Sequence, residues 1–173
     1  MSVIEFEGKK PKVHPSVFLA PGSWVIGDVT LEEDVNVWTN AVIRGDDDSV
    51  VIGARTTILE GCLVEASTGN PVEIGDDVIV SHGGTVHGAK IEDGAIIGIG
   101  AIVLDRAIVG KGSIIGSGAQ VSPRAEIPAG FLALGTPAKP VRECKEREID
   151  HMREEHERTL SKAKVYKKIY NEL

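Results

Sequence analysis

Residues 91–127 read IEDGAIIGIGAIVLDRAIVGKGSIIGSGAQVSPRAEI. Ile91, Ile97, Val103, Val109, Ile115, Val121 and Ile127 stand at every sixth position of this stretch. Four places after each of the first six comes a small residue: Ala95, Ala101, Ala107, Ser113, Ala119 and Ala125. Glycine often follows the aliphatic, as at Gly98, Gly110 and Gly116. A period of six matches neither an amphipathic helix nor an alternating strand. It matches a triangular coil with three short strands per turn. The aliphatic points inward, the small residue lets the corner close, and glycine or a short polar residue makes the bend.

The same spacing extends toward the N-terminus. Val13, Leu19, Val25, Leu31, Val37 and Ile43 form one series, Ile52, Ile58 and Val64 a second, and Ile74, Val80 and Val86 a third. Together the series predict a left-handed parallel β-helix of roughly six turns, on the order of 30 Å tall at about 4.8 Å per rung. Three interruptions break the count. Asp46, Asp47 and Asp48 add residues before Ile52, residues 67–71 (STGNP) add them before Ile74, and the step from Val86 to Ile91 is one short. Insertions in a solenoid are expected as loops on one edge, where they often flank binding sites. The prism is expected to end near Pro128, with a Gly- and Pro-rich linker over residues 135–140 (GTPAKP). From about Glu143 to Tyr170 the pattern turns helical, with Ile149, Met152, His156, Leu160, Ala163 and Ile169 near one stripe. The predicted organisation is a β-helix domain over 1–140 and, over 141–173, a C-terminal helix packing on the β-helix or on a neighbour.

Composition narrows the function classes. The 173 residues are 42% hydrophobic but only 4% aromatic, so the interior must be filled by aliphatic side chains and alanine. A net charge of −7 argues against a nucleic-acid partner held through phosphates. No apolar run approaches membrane-spanning length and the start lacks a signal-peptide pattern. Two cysteines form no disulfide framework, which fits a cytoplasmic protein. Cys62 occupies a small inward position and reads as core; Cys144 reads as a surface thiol.

Register then places chemistry on faces. Three hexads make one turn, so Ile43, Val64 and Val86 share a face, and the residues after them stack outward in one column: Arg44, Glu65, His87. His82 follows Val80 by two and belongs to a different face. A second prism packed alongside could bring its His82 to the point shared by Glu65 and His87, and three prisms around a three-fold axis would do so three times. Two imidazoles and a carboxylate suit catalytic zinc and also ferrous iron. Alternatives stay open: the histidines as plain interface contacts, or Glu65 paired with Arg44 one rung away and no metal at all. Arg44 with Asp46 reads as a brace for a loop or interface. His14, His151 and His156 are scattered and expected to be inert.

Four stretches carry a resemblance: 37–46 (VWTNAVIRGD), 82–87 (HGGTVH), 98–105 (GIGAIVLD) and 134–139 (LGTPAK). With them the chain resembles, over nearly its whole length, the γ-class carbonic anhydrase family in its compact branch, which includes hexapeptide-repeat proteins labelled ferripyochelin-binding. The resemblance implies a homotrimer binding zinc through three histidines, two from one subunit and one from the next. Two of those positions fall on His82 and His87; the third falls on Glu65. The family's arginine and aspartate that brace the trimer and line the site match Arg44 and Asp46. A glutamine that orients the nucleophile would fall on Leu59, and the aspartate beside it on Glu60. In the family, zinc lowers the pKa of its water and the hydroxide attacks carbon dioxide. An anionic Glu65 ligand should raise that pKa, and Leu59 offers no hydrogen bond, so weak or absent hydration at neutral pH is expected.

Three functions therefore compete. The first is a metal-dependent lyase of the carbonic anhydrase type acting on carbon dioxide or bicarbonate. The second is acyl-CoA chemistry, as an acyltransferase or thioesterase, with a histidine base at the trimer seam. The third is a non-catalytic trimer in which Glu65 is bound to Arg44.

Overall fold

Inward-facing aliphatics build the prism rung by rung. In the computed structural model, which describes residues 2–171, parallel strands stack into three faces. Along the first face Val3, Val25, Ile43, Val64, Val86, Val103 and Val121 lie in register. The second carries Val13, Leu31, Ile52, Ile74, Ile91, Val109 and Ile127. The third carries Leu19, Val37, Ile58, Val80, Ile97, Ile115 and Ala133. Seven rungs on each face replace the expected six turns. Val3 and Ala133 supply the rungs that the six-residue count missed. Nearly all of the inward side chains in the middle rungs are sealed from solvent, with Cys62 and the small corner residues among them. Burial pushes the Cys62 thiol up to about 12, so it behaves as core rather than as a nucleophile.

Several expectations are corrected. The prism does not stop near Pro128: Phe131–Leu134 forms the last rung of the third face and pairs antiparallel with Lys139–Glu143. Strand pairing thus runs past the expected junction at 140, and Ala138, in the stretch read as a linker, is buried against the end of the core. The aspartate insertion is not a loop. Residues Val42–Ile52 form one continuous strand against Trp24–Leu31, and Asp46, Asp47 and Asp48 are absorbed as a bulge where the register shifts. These two strands carry the chain round the corner without a break, which fuses the first and second faces into one sheet. At that corner the backbones nearly touch. A Cβ on Gly45 would lie 2.5 Å from the Asp28 carbonyl oxygen, and one on Gly27 would lie 2.4 Å from that of Gly45.

The C-terminal helix spans Glu146–Asn171, about 39 Å at about 1.5 Å per residue, slightly longer than the stack. It runs back along the third face from the last rungs to the first. Near its start Arg142 clamps Glu148. Near its end Lys167 donates to the carbonyl oxygens of Pro15 and Val17 at 2.8 and 3.0 Å. Phe18 and Trp38 of the β-helix form an aromatic cluster with Tyr166 and Tyr170 of the helix. This cover explains why Asn36 and Thr57, outward-facing on the third face, are buried yet satisfied: Asn36 donates to Thr57 Oγ1 and accepts from Trp38 Nε1. The buried stripe differs from the expected one at its ends, because Ile149 and Ile169 are exposed. Among the described residues no helix is long and apolar enough to cross a membrane.

His156 is not inert. It is 6% exposed, and its Nε2–H donates to the Arg55 carbonyl oxygen at 2.8 Å. Burial holds its imidazole below the usual histidine range, against the opposing pull of that hydrogen bond and of the Asp77 carboxylate. The unfolded chain therefore binds the extra proton more readily, and the contribution of His156 to stability is present above pH ~6.5 and lost as pH falls through the folded value. Melting curves of wild type and His156→Gln at pH 7.5 and 5.5 should differ, with wild type losing more on acidification, by no more than ~1.4 kcal/mol per pH unit. Equal losses in both proteins would remove His156 as the cause.

Candidate metal centre

The first face carries the polar column where the register put it. Arg44 pairs with Glu65, and Glu65 with His87, on neighbouring rungs. All three side chains project outward because they follow the inward Ile43, Val64 and Val86. Arg44 reaches both of its acidic neighbours: Nη2 donates to Glu65, and Nη1 lies 3.3 Å from Asp46 Oδ2. Nε2 of His87 lies 4.0 Å from Glu65 Oε1. Arg44, Asp46, Glu65 and His87 are thus brought together. The bond from Arg44 to Glu65 raises the guanidinium further above its already high range.

His82 stands at the opposite edge of this face, in the turn after Ile79–Val80. Directly beneath it, one rung back, is Glu60, whose backbone carbonyl oxygen accepts from Gly83 N at 2.9 Å. His82 Nδ1 lies 2.8 Å from Glu60 Oε2. That oxygen is shielded from solvent without an aligned hydrogen bond, so the approach is close but not a geometrically good bond. Among the described residues no three His, Cys, Asp or Glu side chains of one chain converge tightly enough to hold a metal ion. Leu59 does not reach the polar column. It packs between the core and the cluster that Phe18, Ala20 and Trp38 form with Ala163 of the helix.

Spacing alone missed one partner. His87 Nδ1 is 3.0 Å from Asp105 Oδ1, in the turn one rung further on. Burial pushes the Asp105 carboxyl up, but hydrogen bonds from Ser67 and His87 together with the charge of His87 outweigh it and hold the group below the usual carboxylate range. The only signal in the sequence was an acid three hexads downstream of a histidine.

The chemistry of the donor set fits a divalent metal. Glu65, His82 and His87 supply one carboxylate and two imidazoles. In each imidazole Nδ1 faces a carboxylate of its own chain, so Nε2 is the nitrogen available outward, the usual arrangement of a metal-ligating histidine. The two edges that carry these groups are on opposite sides of one face. Among the described residues, one chain alone therefore leaves the set open.

Comparisons with known proteins bear on the family and the fold. The family model described as bacterial transferase hexapeptide (six repeats) matches residues 88–123. A protein named probable carbonic anhydrase from Methanocaldococcus jannaschii is 46% identical over 82% of this chain and 89% of its own length. A carbonic anhydrase from Geobacillus kaustophilus is 39% identical over 95% of this chain and 91% of its own length. Among solved structures, a putative acetyltransferase from Bacillus cereus superposes with a TM-score of 0.95 at 36% identity, covering 96% of this chain and 97% of that one.

Proposed function

Because this chain belongs to the hexapeptide-repeat family that includes the γ carbonic anhydrases, we propose that it is a cytoplasmic homotrimeric metalloprotein of that type. Glu65 and His87 of one protomer and His82 of the next would hold zinc, with ferrous iron as the alternative metal. The observation that carries the reading is the registered column of Arg44, Glu65 and His87, with His82 on the opposite edge of the same face. That separation is what a ring of three prisms needs, since each seam joins one edge of each kind.

The chain's own residues shape the site. Arg44 holds Glu65 and Asp46 in place across two rungs. Glu60 backs the imidazole of His82. Zinc held there would supply a lowered water pKa, an effect that the anionic Glu65 would weaken. Leu59 is committed to packing under the helix and gives the reacting position no hydrogen bond. Stopped-flow hydration of carbon dioxide by zinc- and iron-loaded protein at pH 7 is expected to run ~10²-fold or more below a competent family member, the scale on which loss of one orienting hydrogen bond acts. Glu65→His should raise the zinc-loaded rate. Wild-type turnover equal to a competent relative would overturn this reading of Glu65 and Leu59.

The likeness to the Bacillus cereus protein named a putative acetyltransferase favours one second reading, acyl-CoA chemistry at the same seam. Stabilisation of the metal-free protein by coenzyme A in a melting experiment would support it over carbon dioxide hydration.

A further inference from the structure

The insertion at residues 67–71 interrupts the six-residue rhythm and makes a tight turn in which Ser67 and Asn70 bond each other's backbones at 2.8 and 3.2 Å. Its side chains lead to one place. Arg106 Nε donates to Asn70 Oδ1 at 2.6 Å, and Asn70 Nδ2 donates to Ser67 Oγ at 3.0 Å. Ser67 Oγ donates to Asp105 Oδ1 at 2.9 Å, and the same oxygen stands 3.0 Å from His87 Nδ1. The corner residue after His87 is glycine. A Cβ on Gly88 would lie 2.5 Å from Asp105 Oδ1 and 2.8 Å from Asn70 Cβ, so only a bare backbone lets the two close in.

An ionised carboxylate can only accept hydrogen bonds. The contact between His87 Nδ1 and Asp105 Oδ1 is therefore attractive only when Nδ1 carries the proton, which in a neutral imidazole leaves the lone pair on Nε2. We propose that Asp105, braced by the inserted Ser67–Asn70 turn, is a positioning residue that sets the tautomer and the direction of His87 so that Nε2 is presented to the point shared with Glu65. The proposal rests on the metal-centre reading for its purpose, but its first consequence is present in the metal-free protein. The extra residues in the rhythm are thus a support for the imidazole.

Two measurements test it. Long-range proton–nitrogen NMR on metal-free, histidine-labelled protein reads the tautomer of His87, and competition with a chromophoric chelator reads zinc affinity. Wild type should show Nδ1–H alone. Asp105→Ala should show a mixture of tautomers and bind zinc 10–100-fold more weakly, the usual cost of removing such a support. Asp105→Asn, which keeps an accepting oxygen, should fall between the two. Ser67→Ala leaves the backbone turn intact and should shift both readouts in the same direction by a smaller amount. An unchanged tautomer in Asp105→Ala overturns the proposal, as does measurable zinc binding of equal affinity in wild type and Asp105→Ala. If wild type shows the expected tautomer, lost in Asp105→Ala, but takes up no zinc, the metal-centre reading fails and the role of Asp105 in setting the imidazole stands.

Discussion

An equimolar mixture of His82→Ala and His87→Ala chains, denatured and refolded together, is expected to bind about a quarter of the zinc bound by wild type, whereas either variant alone binds almost none. The figure follows from counting seams in a three-fold ring. A working seam needs intact Glu65 and His87 on one side, which only the His82→Ala chain offers. It also needs intact His82 on the other side, which only the His87→Ala chain offers. Random assembly meets each condition half of the time, so about one seam in four is complete. Elemental analysis of the size-fractionated mixture reads the outcome directly. Metal content no higher than in the separate variants would mean that the three groups do not meet across a seam.

Replacing Gly45 by alanine is expected to destabilise the fold by ~3 kcal/mol or more, at or above the top of the range for overpacking. The new Cβ would stand 2.5 Å from the Asp28 carbonyl oxygen, 2.9 Å from its carbon and 3.1 Å from the Asp48 carbonyl oxygen. All three are backbone atoms, so no side chain can swing aside to make room. Relief requires the strands Trp24–Leu31 and Val42–Ile52 to separate where they turn the corner. Gly45 lies between Arg44 and Asp46, so the same displacement should loosen their 3.3 Å pairing and lower metal uptake as well. At ~2–4 °C per kcal/mol for a chain of this size, the midpoint of thermal unfolding should fall by ~6 °C or more. A midpoint within 2 °C of wild type would show that the corner is softer than its close contacts imply.

Much of the architecture could be read from spacing because each rung repeats the same requirement for an inward aliphatic. The count faltered where the requirement is met differently. At the last rung the inward residue is Ala133, which has little apolar signature, and at the first Val3 is cut off by the turn that bonds Phe6 to Lys9. The three aspartates were visible as extra residues, but whether extra residues leave the sheet or are absorbed as a bulge depends on the partner strand. The column of Arg44, Glu65 and His87 followed from adding up turns, since a parallel coil fixes which residues are stacked. The partnership of Asp105 with His87 is not legible in the spacing, because the Asp105 side chain leaves from a corner, where register does not dictate direction. His156 looked like filler on a helical stripe. Its bond to the Arg55 carbonyl oxygen joins residues 101 apart in the chain, which no local pattern announces.

A stack of rungs that touch only their nearest neighbours is free to unzip from either end. Here the C-terminal helix lies across the N-terminal rungs, with Lys167 and Tyr170 fastened to Pro15, Val17 and Phe18. Such a clasp links the fates of the two termini: neither can fray far without surrendering the aromatic seal and the lysine anchor together. What would otherwise melt as a row of loosely coupled tiles is thereby bound toward a single all-or-none transition.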